Sequence, residues 1–180
     1  VIFSGGDPLV ANDRLLSAWA EALAAIPHIR RLRVHTRLPV VIPQRVSDSL
    51  IKWLSGSRLQ AVVVIHANHP AELDADTQQA LGRLKAAGVT LLNQSVILKG
   101  VNDDASVLAE LSERLFECGV LPYYLHAFDP VAGAHHFEVS DNKARELVRQ
   151  LITSLPGFLV PRLVREIPGR PGKTPLDLFA

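Results

Sequence analysis

Two short stretches near the ends of the chain carry residues whose types and spacing suit chemistry. The first is Ser4-Gly5-Gly6-Asp7, reached through three apolar residues. Adjacent glycines remove Cβ atoms, admit positive φ and let a ligand approach the backbone closely. Ser4 and Asp7 flank them with short hydrogen-bonding groups. The same residues also suit a plain tight turn after a strand. The second stretch is Arg165-Glu166-Ile167-Pro168-Gly169-Arg170-Pro171-Gly172-Lys173-Thr174-Pro175-Leu176, a Gly- and Pro-shaped loop that presents Lys173 near its end. Such a lysine can form a Schiff base where its surroundings release the amine's proton; a solvent-exposed lysine is the plain alternative. The Gly-Lys-Thr within it misses the phosphate-loop spacing, because Ile167 stands where the first glycine is required.

Other polar residues fall at expected strand ends: His35-Thr36-Arg37, then His66 with Asn68 and His69, then Asn93-Gln94-Ser95, then His126 and Asp129. In βα folds, strand ends of one sense are where ligands bind, so these loops are expected to gather around one ligand. Arg37 suits a carboxylate or phosphate clamp, or equally a surface arginine beside a proline turn. His66, His69, His126, His135 and His136 include no pair or triplet with convincing ligand spacing, so no metal is expected to bind directly.

The elements that must position these groups alternate. Strands are expected at 1–3, 31–36, 60–65, 89–94 and 121–125, with a last extended segment at 158–164. Asn12 or Asp13 caps a helix with Leu15, Leu16, Trp19, Leu23 and Ile26 on one face. Further helices are expected from about Ser47, from Asp74 or Asp76, from Asp103 or Asp104, and from Ser140. The last carries Ala144, Leu147, Val148, Leu151 and Ile152 at helical spacing. A long polar loop is expected from His126 to Val139. This βα repeat predicts a parallel α/β array. A complete (β/α)8 barrel typically needs about 250 residues, and the chain has 180; a partial barrel is expected, as residues 1–155, followed by an extended segment and lysine loop at 156–180.

Composition agrees with a globular domain: 48% apolar and 21% charged, with 19 Lys and Arg against 18 Asp and Glu. That balance gives no electrostatic reason to expect nucleic acid or a membrane as partner. No apolar run approaches the ~20 residues needed to span a bilayer. A single cysteine, Cys118, excludes an internal disulfide or a multi-cysteine cluster site in these residues, and a cytoplasmic setting is expected. The chain opens in mid-strand without a methionine and is expected to be the later part of a longer protein.

Several motifs together carry a family resemblance. They are Ser4-Gly5-Gly6-Asp7-Pro8-Leu9, Ile26-Pro27-His28-Ile29, Arg37-Leu38-Pro39-Val40 with Pro43-Gln44-Arg45, Asn68-His69-Pro70, and the run from Asn93 to Asp103. Pro122-Tyr123-Tyr124 with Asp129, and Pro168 to Pro175 with Lys173, complete them in order. The set resembles the radical S-adenosylmethionine (SAM) lysine 2,3-aminomutase family. Ala134-His135-His136-Phe137 and the residues flanking Glu166 and Lys173 are similar to its branch that makes (R)-β-lysine for modification of elongation factor P.

The resemblance implies a radical SAM barrel lacking its first strand and cluster loop. It implies that Ser4, Gly5, Gly6 and Asp7 hold the methionine end of SAM, with Gln94 and Arg37 lining the same ligand. Lys173 matches the lysine that carries pyridoxal phosphate (PLP). Asp129 and Glu166 match the acidic positions that receive the ε-ammonium of substrate L-lysine; the lysine-degrading enzymes are expected to have aspartate where Glu166 stands. The parent reaction is implied to use a [4Fe-4S] cluster with SAM, abstract a β-hydrogen and migrate the α-amino group on PLP. The cluster's Cys-x-x-x-Cys-x-x-Cys motif and the arginine for the substrate carboxylate are expected upstream of Ser4, so this chain alone is expected to be inactive. Two readings stand beside this one: a non-radical PLP or Schiff-base barrel enzyme, and a non-catalytic ligand-binding remnant.

Overall fold

The computed structural model describes residues 1–129 and 132–179. Pro130 and Val131, within the polar loop expected from His126 to Val139, lie outside the described residues. Seven strands follow one another in chain order: β1 (Ile2–Phe3), β2 (Arg31–Thr36), β3 (Gln60–Ile65), β4 (Thr90–Val96), β5 (Leu121–His126), β6 (Arg162–Arg165) and β7 (Thr174–Pro175). The helices are α1 (Asp13–Ala24), α2 (Leu38–Val41), α3 (Asp48–Ser55), α4 (Ala75–Ala86), α5 (Ala105–Glu117) and α6 (Asp141–Ser154). β1, β2 and β3 pair in parallel, as do β5 and β6, while β6 and β7 are antiparallel. This is an α/β fold consistent with a partial (β/α) barrel.

The chain forms two compact units: residues 1–66, 72–92 and 118–120, and residues 67–71, 93–117 and 121–180. In the first, β2 buries Leu32, Val34 and Thr36 on one face and directs Arg31, Arg33 and His35 to the other. That is the period of two expected of a strand. β3 buries Ala61, Val63, Val64 and Ile65, with Val62 half-buried, as an apolar run in a parallel sheet should. Helix caps resolve the ambiguities of the sequence. Asn12 accepts the Leu15 N–H at 2.9 Å, Ser47 accepts that of Leu50 at 3.1 Å, and Asp74 accepts that of Thr77 at 2.9 Å.

Three local expectations need correction. α1 buries Leu16 and Ala20, whereas Leu15, Trp19 and Ile26 are exposed; the buried stripe is narrower than the apolar one, and Trp19 instead packs edge-on against Phe3 at 5.9 Å. The proline turn expected beside Arg37 is the short helix α2, with Pro39 in its first turn, where a missing N–H costs nothing. In α6, Ile152 is exposed although it continues the helical spacing.

The second unit is built around Ile97, Leu108, Leu125, Val139, Ala144, Leu147, Val148, Leu151 and Leu163, with Leu176 and Leu178 packed against them. Ser140 caps α6 through the Lys143 N–H at 3.3 Å. A 3-10 turn at Gly157–Leu159 leads into β6, and the chain folds back as β7. The carbonyls of Asp177 and Leu178 accept hydrogen bonds from Arg145 and Arg149 of α6 at 2.8 and 2.6 Å. No helix among the described residues is long and apolar enough to cross a membrane.

Candidate functional site

The glycine stretch lies at the end of β1, in the first unit. Gly5 and Gly6 have φ of 91° and 60°, a region that L side chains rarely adopt. A Cβ at either position would meet nothing within 4 Å, so glycine is required here by the backbone rather than by crowding. Asp7 locks the loop. Its Oδ1 accepts the Thr36 hydroxyl at 2.7 Å and the Leu9 N–H at 3.0 Å, and its Oδ2 accepts the Arg37 N–H at 2.7 Å. The turn is thereby tied to the C-terminal end of β2.

Arg45 braces the same loop from its other end. Its guanidinium donates to the carbonyls of Leu9 and Ala11 at 2.7 and 3.2 Å and to Asp13 Oδ1 at 2.7 Å. The Trp53 indole N–H donates to that oxygen at 3.0 Å. Burial alone would raise the Asp13 carboxyl, but hydrogen bonds from Arg45 and Trp53, with the Arg45 charge, hold it below the usual carboxylate range. What stays open is the outer side of the loop. Ser4, Gly5, Gly6 and the Arg37 side chain are exposed. His35 and His66 meet edge-on, ring centroids 6.3 Å apart.

The lysine stretch is a β-hairpin of the second unit. Val164 stands opposite Pro175 and Arg165 opposite Thr174, so the next antiparallel pair is Glu166 and Lys173. Their side chains form an ion pair, Lys173 Nζ donating to Glu166 Oε1. The Lys173 side chain is 20% exposed and that of Glu166 63%. The amine also lies 6.0 Å from the ring centre of Tyr124, at the outer range of a cation–π contact. Tyr124 in turn meets His126 edge-on at 6.0 Å. The hydrogen bond and charge of Lys173 hold the Glu166 carboxyl below the usual range against the opposing effect of burial, and the positive charge of His126 adds to this. Behind the hairpin the Leu176 N–H donates to the Leu163 carbonyl at 3.1 Å. Arg165, pointing the other way, pairs with Asp141 of α6 at 2.9 Å.

No family model matches the chain. Individual proteins do. It is 55% identical over 178 residues, 99% of its length, to a protein of Escherichia coli (strain K12) named L-lysine 2,3-aminomutase. It is 55% identical over 174 residues to one of that name from Haemophilus influenzae, and 38% identical over 176 residues to one from Clostridium subterminale. The chain is a homologue of the L-lysine 2,3-aminomutases. It spans about half the length of the curated relatives it matches, 52% of each of the first two.

Against this homology, the structure brings some of the expected aminomutase site residues together and not others. Ser4, Gly5, Gly6, Asp7 and the backbone of Arg37 form one cluster in the first unit. Lys173 and Glu166 form another in the second. Asp129, three residues beyond β5, is half-buried and makes no hydrogen bond or ion pair among the described residues. Gln94 is buried in β4, and its amide has no hydrogen-bond partner among the described residues. Its neighbours Asn93 and Ser95 are committed to the backbone of Ala67 at 2.8 to 3.0 Å. Asn102 likewise donates to the carbonyls of Asn68 and Val96 at 2.8 and 2.9 Å. Much of the asparagine-rich signature therefore closes loops.

Sequence reasoning placed Thr36 among the strand-end polar residues without pairing it to Asp7, and gave no individual role to Arg45 or Tyr124. Thr36 was legible as the last residue of β2, but nothing in its spacing pointed to Asp7. Arg45 lies 32 residues from Asp13, beyond any local pattern.

Proposed function

We propose that the chain forms part of an L-lysine 2,3-aminomutase, an isomerase moving the amino group of L-lysine from C2 to C3. The observation that carries this is the 55% identity along 99% of the chain to the Escherichia coli protein of that name. The lysine hairpin supports it. Lys173 is the residue to hold PLP: its side chain is mostly covered, its amine lies 6.0 Å from the centre of an aromatic ring, and it immediately precedes the β7 residues that pair with β6. PLP, when bound, supplies a conjugated system that stabilises charge or unpaired electron density beside the migrating nitrogen.

Asp129 and Glu166 would receive the ε-ammonium of the substrate, since paired carboxylates favour a cationic tail over neutral analogues. Ser4, Gly5 and Gly6 would take the amino-acid end of SAM, which when bound supplies the group that abstracts hydrogen. The open space over both glycines suits close approach of such a ligand to the backbone. Asp7 would act by holding that loop, because both of its oxygens already accept hydrogen bonds. Arg37 would face the ligand's carboxylate, and Gln94 brings an uncommitted amide suited to a polar cofactor. A [4Fe-4S] cluster does not fit the residues present. The chain has one cysteine, Cys118, which is buried, and no group of three His, Cys, Asp or Glu is gathered among the described residues.

A cytoplasmic enzyme whose (R)-β-lysine product serves elongation factor P is the finer reading. It rests on glutamate at position 166 and on higher identity to the Escherichia coli and Haemophilus influenzae proteins than to the 38% relative. The test is chromatographic resolution of β-lysine formed by the intact protein from L-lysine, SAM, PLP and reductant. Product should form, require SAM and vanish in Lys173→Ala. SAM-independent conversion of lysine would favour a non-radical Schiff-base enzyme. No conversion, with no PLP-dependent absorbance change, would favour a ligand-binding remnant.

A further inference from the structure

We propose that Glu166 is a receptor shared by two ammonium groups, so that an external ammonium binds there in earnest once Lys173 has been engaged by a carbonyl cofactor. This rests on the reading of Lys173 and Glu166 given above and adds an order of events to it. The pairing is built into the backbone. Antiparallel register from Val164–Pro175 through Arg165–Thr174 places positions 166 and 173 opposite each other on one face, where cross-strand side chains meet. Ile167 to Gly172 close the hairpin, with the Arg170 N–H donating to the Ile167 carbonyl at 3.1 Å and Gly169 at φ 80°.

The pair is asymmetric. The lysine stem is mostly covered, while the carboxylate faces solvent. An incoming cation can therefore reach Glu166, but it meets an anion already neutralised and a second cation beside it. Coulomb attraction to a neutral pair is weak, whereas attraction to a lone carboxylate at the same distance is full. His126 also acts on the Glu166 carboxylate, and when protonated it opposes a second cation.

Condensation of Lys173 with an aldehyde changes this balance. The ammonium first loses one proton to solvent; the free amine then forms a C=N bond, and the carbonyl oxygen leaves as water. The nitrogen gives up its ammonium N–H donors to the new C=N bond, and any proton kept on the imine is paired with the cofactor's own phenolate oxygen, so the carboxylate of Glu166 becomes available to a ligand ammonium. Coupling of this kind is reciprocal: the cofactor strengthens binding of the ammonium ligand, and the ligand strengthens retention of the cofactor, by the same factor.

The probe must carry an ammonium that cannot itself condense with an aldehyde. 6-(Dimethylamino)hexanoate keeps one N–H donor and meets that requirement. Its affinity for the intact protein is measured by calorimetry with and without PLP, while the PLP absorbance band reports engagement of Lys173. The expected result is a gain of about tenfold with PLP, within the usual range for coupled sites. Lys173→Met, which keeps the stem without the charge, should bind the probe without PLP as tightly as the loaded wild type. Glu166→Gln should bind weakly with or without PLP while its absorbance band still forms. Equal probe affinity with and without PLP in wild-type protein whose band has shifted would overturn the shared-receptor proposal and leave the assignment of Lys173 intact. A band that persists unchanged in Lys173→Met would overturn both.

Discussion

Asp7 and Glu166 are both carboxylates just beyond strand ends, and they are held in opposite ways. Asp7 accepts three hydrogen bonds from partners that cannot leave: a threonine hydroxyl on β2 and the backbone N–H groups of Leu9 and Arg37. Among the described residues Glu166 accepts one hydrogen bond, from the terminal amine of Lys173. The first carboxylate is part of the scaffold that shapes a loop for something else. The second is committed only as long as its lysine remains charged. On the proposed reading, the loop that must stay rigid is held by two backbone donors and a strand hydroxyl, and the receptor that must change partners is held by a long side chain.

That contrast can be broken at its rigid end first. Arg45→Ala should produce the largest loss. It removes the donors to Leu9, Ala11 and Asp13 together and leaves a largely covered carboxylate, Asp13 being 19% exposed. Breaking one side of a buried pair is costly, and a loss of about 3 kcal/mol is expected, read as a lower urea midpoint at unchanged slope. Asp7→Asn should come next. The amide can still accept from Thr36 and Leu9 through its oxygen, but its nitrogen then faces the Arg37 N–H, donor against donor. An unsatisfied donor pair of this kind is expected to cost about 2 kcal/mol. If Asp7→Asn were as stable as wild type, the Asp7 clamp would not organise the loop as described.

How far these two regions were legible in the sequence differs for the same physical reason. The βα alternation, the caps at Ser47, Asp74 and Ser140, and the glycine pair are local signals, and the structure places them where the pattern indicated. The clamp on Asp7 is not local: Thr36 is 29 residues away and enters only when β1 and β2 pair in parallel. Lys173 was singled out because Gly and Pro frame it. Its opposition to Glu166 was hidden, since a two-residue strand such as Thr174–Pro175 gives no periodicity to read and a proline argues against a strand. The exposed Leu15 and Trp19 show the limit of helical spacing: it finds a face but does not say how much of that face is covered.

The smallest expected effect tests the exchangeable end. Glu166 is largely exposed, and exposed ion pairs contribute little, so Glu166→Gln should change stability by no more than about 0.5 kcal/mol at neutral pH. Its pH dependence carries the information. The folded chain holds this carboxyl below its ordinary value of 4.5. A depressed carboxyl contributes stability that is fully present above the unfolded value and is lost as pH falls through the folded one. Wild type and Glu166→Gln should therefore differ by the same small amount from neutrality down to about pH 5, then converge as the pH falls further. Convergence on raising the pH instead would mean that Glu166 is not held as the charged partner of Lys173. Curves that stayed parallel down to pH 2 would place the effect of the substitution outside the ion pair.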